Sequence, residues 1–181
     1  MKLENLIREF VGLVEMGKIE IYNEFSLQYE LGIYLRENIS NYKIQFERNT
    51  KFFGVKETIK HEMDIVIYND IEKYAIELKY PMNGQYPEQM FCFIKDIKFM
   101  EQMKENGFND TYCLTIVSDK KFYYGKKLDG MYAFFRDGKL VNGLINKHTG
   151  KRDEQIIING NYKINWEGCG DKRYYLVQID Q

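Results

Sequence analysis

The sequence predicts a mixed α/β (α+β) domain whose middle runs α-β-β-β-α-β, with one more helix before it and β-hairpin additions after it. Apolar residues recur at helical spacing near the N-terminus and again over residues 90–103. Between those stretches lie short runs rich in β-branched and aromatic residues, bounded by Asn, Asp and Gly. Beyond residue 118, Asp137-Gly138 and Asn159-Gly160 are dipeptides that favour hairpin turns.

Taken in order, Leu3, Leu6, Ile7, Phe10, Val11 and Leu13 form the stripe of an amphipathic helix that Gly17 ends. A second helix spans about Glu24 to Arg36, with Phe25, Leu27, Leu31, Tyr34 and Leu35 as its apolar face. Tyr42 to Glu47 reads as the first strand. Met63 to Tyr68 and Tyr74 to Tyr80 follow as the second and third, joined by a turn at Asn69-Asp70. Pro87 suits the opening of a long helix. That helix turns Met90, Phe93, Ile94, Ile97, Met100 and Met103 inward and closes at Gly107. Tyr112 to Val117 is a continuous apolar strand of the kind covered on both faces. Met131 to Arg136 and Leu140 to Ile145 are expected to pair around Asp137-Gly138. Gln155 to Ile158 and Tyr162 to Trp166 are expected to pair around Asn159-Gly160, and Tyr174 to Ile179 closes the fold.

The 181 residues, 44% hydrophobic and 15% aromatic, suffice for a packed core and exclude a disordered chain. Two prolines and no Ser/Gly/Pro-rich linker favour a single domain over residues 1–181, with a core at 23–118 and a β-rich extension at 119–181. No apolar run reaches the roughly 20 residues needed to span a bilayer, so no membrane partner is expected. Met1-Lys2-Leu3-Glu4-Asn5 does not open a signal peptide. Cys92, Cys113 and Cys169 have no metal-binding spacing and leave one thiol over in any disulfide scheme. These features predict a cytoplasmic protein with reduced thiols.

Three charges interrupt otherwise apolar strands: Asp64 in the second, Glu77 and Lys79 in the third. Burying a charge is costly unless something pairs with it. Glu77 and Lys79 are two apart and share a face. A turn centred on Asp70 and Ile71 sets Asp64 opposite Glu77, about 4.5–5.5 Å away, where two carboxylates repel. A divalent cation between them resolves that conflict. Oxygen ligands without a His/Cys cluster indicate Mg²⁺ or Mn²⁺ and not zinc. His61 and His148 stand alone and read as surface or hydrogen-bonding histidines, not ligands. The plainer alternative is a half-exposed hairpin with a cross-strand salt bridge.

Asp64, then Glu77-Leu78-Lys79, then a helix and a buried strand: this order resembles the PD-(D/E)xK nuclease superfamily, also called restriction-endonuclease-like, over Asn23 to Val117. The resemblance implies a restriction-endonuclease-like αβββαβ core and hydrolysis of phosphodiester bonds. Carried over, Asp64 and Glu77 bind the metal. Lys79 positions or activates the attacking water, with a depressed pKa if it shares the proton transfer. Many members add a glutamate from the first core helix, here Glu30, with Glu24 the competing candidate. Gln89, at the start of the long helix, corresponds to a substrate-facing polar position. The chain departs from the pattern at Met63, where the family motif has Pro.

The net charge of −1 is unevenly spread. Asp119 to Arg152 holds nine Lys/Arg against three Asp, interleaved with Phe122, Tyr123, Tyr124, Tyr132, Phe134 and Phe135. Such a stretch suits a phosphate-tracking surface, so Lys120, Lys121, Lys126 and Lys127 are candidate contacts to nucleic acid, DNA in the first instance. A solvated hairpin surface would look the same. The expectation is therefore a metal-dependent nuclease, with a two-sited homodimer as the form that would cut both strands. A non-catalytic nuclease-like module that binds nucleic acid or serves assembly is the alternative.

Overall fold

In the computed structural model, residues 2–147 and 154–180 are described. Leu3, Ile7, Phe10 and Val11 lie along one face of the first helix, α1 (Leu3–Glu15), and are buried. Helix α2 (Glu24–Asn38) opens with a capping box. Asn23 Oδ1 accepts the Ser26 N–H at 2.7 Å, and Ser26 Oγ accepts the Asn23 N–H at 3.1 Å. That box fixes where Glu24, the next residue, leaves the helix. Strands β1 (Lys43–Asn49), β2 (Glu62–Tyr68) and β3 (Lys73–Lys79) form an antiparallel meander, with a 3₁₀ turn at Thr50–Phe53 after β1. Helix α3 (Tyr86–Glu105), with Pro87 in its first turn, crosses over to β4 (Asp110–Val117), which runs parallel to β3.

A second 3₁₀ turn (Lys120–Phe122) and helix α4 (Met131–Arg136) follow. Next come β5 (Val141–Asn146), β6 (Gln155–Tyr162), β7 (Glu167–Cys169) and β8 (Lys172–Gln178). The main sheet is mixed, in the order β1-β2-β3-β4-β8-β7, and β5-β6 form a separate ribbon. Helices α1 and α2 cover one face over Ile65, Ile67, Ile76, Leu78 and Leu114. Helices α3 and α4 and the ribbon cover the other over Val66, Ala75, Cys113 and Tyr175. Four α-helices among the described residues, set on a mixed sheet, make this an α+β fold. Among the described residues no helix is long and apolar enough to cross a membrane.

The register of β2 against β3 is the expected one: Ile65 faces Ile76, Val66 faces Ala75 and Tyr68 faces Lys73. On the other side α2 comes close to β1 because residue 32 is glycine, where a Cβ would overlap the Phe46 ring.

Beyond residue 118 the structure departs from expectation. Met131–Arg136 is helical, and Gly138, at φ +66°, ends that helix instead of turning a hairpin. The amide N–H groups of Asp137 and Lys139 both donate to the Ala133 carbonyl. The partner of β5 is β6, not residues 131–136. Asn159-Gly160 makes no hairpin turn either, since β6 continues through it with a bulge against β5. Gly160 is required for another reason: a Cβ there would overlap the Tyr162 hydroxyl. Trp166, placed in a strand by the sequence, lies just before β7, and its indole N–H donates to the Phe135 carbonyl at 2.8 Å. The region 119–181 also supplies strands to the main sheet, where β8 pairs with β4 and β7 with β8.

Candidate active site

Pairing between β2 and β3 ends at Ile65–Ile76, and the strands part just beyond. The Asp64 carboxylate enters the gap. Its Oδ2 accepts the Leu78 N–H at 2.7 Å, standing in for a backbone carbonyl, while its own N–H donates to Glu77 Oε1 at 3.3 Å. The two acids are thus neighbours, as the register requires. Asp64 Oδ1 accepts no hydrogen bond among the described residues. A pocket of about 190 Å³ opens beside it, lined by Glu24, Phe25, Gln28, Glu47, Asp64 and Leu78.

Glu77 has no exposed side-chain surface, and its other oxygen, Oε2, pairs with the Lys60 ammonium. Lys60 also meets Asp96 Oδ1, from α3, at 2.9 Å. Lys79 reaches the opposite way. Its ammonium donates to Glu24 Oε1 at 3.1 Å and to the Leu78 carbonyl at 2.8 Å, with Asp96 Oδ2 at 3.8 Å. Glu24 closes the circuit by accepting the Tyr80 N–H at 3.2 Å. Four carboxylates and two ammonium groups therefore converge where α2, β2, β3 and α3 meet. Among the described residues no three Asp, Glu, His or Cys side chains stand together as a metal-holding group; the lysines are interleaved with the acids.

The electrostatics follow from burial. Desolvation pushes the Asp64 carboxyl up to about 6, against the pull of Lys79 and Lys60. Desolvation likewise pushes Glu77 well up, with Asp64 and Asp96 adding to it. Burial alone would lower both lysines. For Lys79 the fields of Asp96, Asp64 and Glu24 outweigh it, and the ammonium is held above the ordinary lysine value. Lys60 is raised in the same way by Asp96, Glu77 and Asp64. The direction is upward, not downward, so of the two roles open to Lys79 this setting favours the fixed cation and hydrogen-bond donor.

The helix acid at the cluster is Glu24. Gln28, one turn on, shares its face and donates to Glu47 Oε1 at 2.7 Å and to the Asp64 carbonyl at 2.8 Å. Glu30 is rotated roughly 120° from Glu24 around the helix. Its carboxylate makes no hydrogen bond or ion pair among the described residues, and it does not line the pocket. The Gln89 side-chain N–H donates to Asn83 Oδ1 at 3.3 Å, and among the described residues no hydrogen bond joins Gln89 to the clustered charges. Asp96 and Lys60 were missed from the sequence. Asp96 left a signal, a charge on the Phe93-Ile97-Met100 stripe; Lys60 left none.

The basic stretch shares this end of the sheet. Because β3 and β4 are parallel, both end on this side: Lys79 pairs with Thr115, and the chain leaves β4 two residues later, after Val117. Lys120, Lys121, Lys126 and Lys127 are all exposed. Arg136 fastens their loop by donating to the carbonyls of Lys121 and Lys127. His148, Lys151 and Arg152 lie outside the described residues. No protein-family model matches the chain, and no curated protein or solved structure matches it.

Proposed function

We propose that this chain is a divalent-metal-dependent nuclease of the PD-(D/E)xK type, acting on DNA with Mg²⁺ or Mn²⁺. The observation that carries the reading is the junction of Asp64, Glu77 and Lys79 where β2 and β3 part, with a helix glutamate on one side and exposed lysines at the same end of the sheet. A hard, oxygen-preferring cation fits this donor set. The donors are carboxylates, and Asp64 retains an oxygen with no hydrogen bond among the described residues. Asp64 and Glu77 would hold the ion, which supplies Lewis acidity and a water of lowered pKa. Glu24 and Asp96 hold the Lys79 ammonium in place, and Lys79 orients the water or the phosphoryl oxygens. The loop that carries Lys120, Lys121, Lys126 and Lys127 offers positive charge to the phosphate backbone. A homodimer with two such sites would cut both strands.

The pairing of Glu77 with Lys60 favours a second reading, in which the charges balance one another and the domain only binds or assembles. One screen separates the two. Labelled duplex, single-stranded and branched DNA and RNA are incubated with Mn²⁺, using Asp64→Ala as control. The nuclease reading expects cleavage that is lost in Asp64→Ala. Equal cutting by both proteins, or none on any substrate, would sink it.

The reading also fixes the pH dependence of metal binding. Asp64 titrates near 6 in the fold, above the ordinary carboxylate value. The folded protein therefore binds that proton more tightly than the unfolded chain does. Asp64 costs stability in full above about pH 6, and the cost fades as pH falls towards the unfolded value. Metal binding runs the other way, because it needs the carboxylate. The rise in Tm caused by Mn²⁺ is expected to shrink as pH falls through about 6, with Glu77 pushing in the same direction. Measuring Tm with and without Mn²⁺ across that range checks it; a constant rise in Tm would be the contrary result.

A further inference from the structure

Glu77 is wholly buried, and among the described residues one ammonium pairs with it: that of Lys60. Lys60 lies outside the tripeptide Glu77-Leu78-Lys79 and comes from a different kind of element. Residues 54–61 take no helix or strand conformation between the Thr50–Phe53 turn and β2. The segment is held by its own ties, among them the Thr58 hydroxyl donating to the Lys60 carbonyl and the Val55 N–H donating to the Thr50 carbonyl, and the Lys60 ammonium lies over the Phe99 ring at 5.5 Å. The Ile59 N–H donates to Gln102 Oε1 at 3.0 Å, the Thr50 N–H donates to the His61 carbonyl, and Val55 is buried. Lys60 keeps 28% of its side chain exposed and reaches in from the surface. Lys79, by contrast, is fixed on a core strand with 18% exposed.

Two facts of coordination chemistry bear on this arrangement. An ammonium has three donors and no lone pair, so it cannot enter the shell of a metal ion. A Mg²⁺-sized ion asks for close to octahedral oxygen coordination at short range. An ion on Glu77 and an ammonium on the same carboxylate would also repel as neighbouring cations. Both draw on one buried acid, so each weakens the hold of the other.

We infer that Lys60 is an internal cation that holds the Glu77–Asp96 pair while the centre is free of metal, and that a divalent ion must displace it to bind. This rests on the metal-centre reading above and adds to it an affinity-setting residue. Displacement leaves Asp96 to Lys79, whose ammonium is already 3.8 Å from its second oxygen. That oxygen, Oδ2, is buried and accepts no hydrogen bond among the described residues. The released Lys60 side chain would return to solvent at the mouth of the site. In the metal-free protein Lys60 and Lys79 thus offset part of the charge of the four carboxylates, and metal affinity is set by how readily one lysine withdraws.

The test is Mn²⁺ binding by titration calorimetry on the full chain as parent, Lys60→Gln and Asp64→Ala. Lys60→Gln is expected to bind Mn²⁺ at least roughly tenfold more tightly than the parent, because a competing charge within a few ångströms is gone. Asp64→Ala is expected not to bind. If the parent binds through Asp64 and Lys60→Gln binds no more tightly, the inference about Lys60 is overturned and the metal centre stands. If neither the parent nor Lys60→Gln binds Mn²⁺, the metal centre falls and this inference falls with it. Should Lys60→Gln fail to fold, the parent decides. Acylation of Lys60, read by mass spectrometry against exposed Lys56, is expected to rise severalfold on adding Mn²⁺, and an unchanged rate overturns the displacement.

Discussion

Lys79→Ala is expected to lower Mn²⁺-dependent cleavage by at least roughly a hundredfold while leaving Mn²⁺ affinity undiminished. The ammonium sits between Glu24 at 3.1 Å and Asp96 at 3.8 Å, with the Leu78 carbonyl at 2.8 Å. It is therefore preorganised, and it is not one of the oxygens that would hold the ion. Removing it takes one positive charge from beside the metal, so binding should be unchanged or tighter. The position of its pKa sharpens the test. Held above the ordinary lysine value, chiefly by Asp96 and Asp64 against the cost of burial, Lys79 is protonated at neutral pH. A role as fixed cation predicts that Lys79→Arg keeps measurable cleavage, because arginine keeps the charge. A role as proton acceptor predicts that Lys79→Arg is as inactive as Lys79→Ala, since arginine does not give up its proton. Single-turnover cleavage rates, with Mn²⁺ titrations in parallel, separate these outcomes. Parent-like cutting by Lys79→Ala would remove the residue from the reaction.

The parts of this site that could be read from the sequence are those where a charge breaks a regular pattern. Asp64, Glu77 and Lys79 interrupt apolar strands, and the turn at Asn69-Asp70 fixes their register, so their meeting follows from alternation alone. Asp96 makes the same kind of interruption on a helix, three residues after Phe93 and four before Met100, and ends with 5% of its side chain exposed. It was hidden because Asp96-Ile97-Lys98 also reads as a chance acid-x-Lys tripeptide. Choosing Glu24 over Glu30 needed the cap at Asn23, which sets the phase of α2 and turns residues 24 and 28 together towards β2. Lys60 could not have been found. Its place depends on the path of an irregular segment, and local sequence does not encode that path. The errors after residue 118 have a related cause. Met131, Phe134 and Phe135 follow helical spacing and are buried, but six residues are too few to tell a short helix from an aromatic strand. Asn-Gly and Asp-Gly are permissive rather than directive. Gly138 uses its freedom to end a helix, and Gly160 supplies the absence of a side chain beneath Tyr162.

Glu101→Ala is expected to cost about 3–5 kcal/mol of folding stability, a large share of what a domain of this size holds. Glu101 lies on the inward face of α3 with no exposed side-chain surface, and its carboxylate fastens the β5-β6 ribbon to the core. Oε1 accepts the Asn159 N–H at 2.9 Å, the Gly160 N–H at 2.7 Å and the Tyr162 hydroxyl at 3.1 Å. Oε2 accepts the Lys98 ammonium at 3.1 Å. These two β6 amides find no β5 partner because the β5-β6 register shifts between Val141 and Gly143, leaving Asn159 and Gly160 to turn to the helix. Alanine takes the acceptor from two backbone donors and a hydroxyl, and it leaves Lys98, 15% exposed, without its carboxylate. Glu101→Gln keeps the shape and one acceptor oxygen, and should cost clearly less. Denaturant unfolding of the three proteins measures the difference, and a drop in Tm of roughly 10 °C is the thermal equivalent. A loss below about 1 kcal/mol for Glu101→Ala would mean that water reaches the Asn159 and Gly160 amides, and that the ribbon is held by its apolar contacts through Ile156 and Ile158 instead.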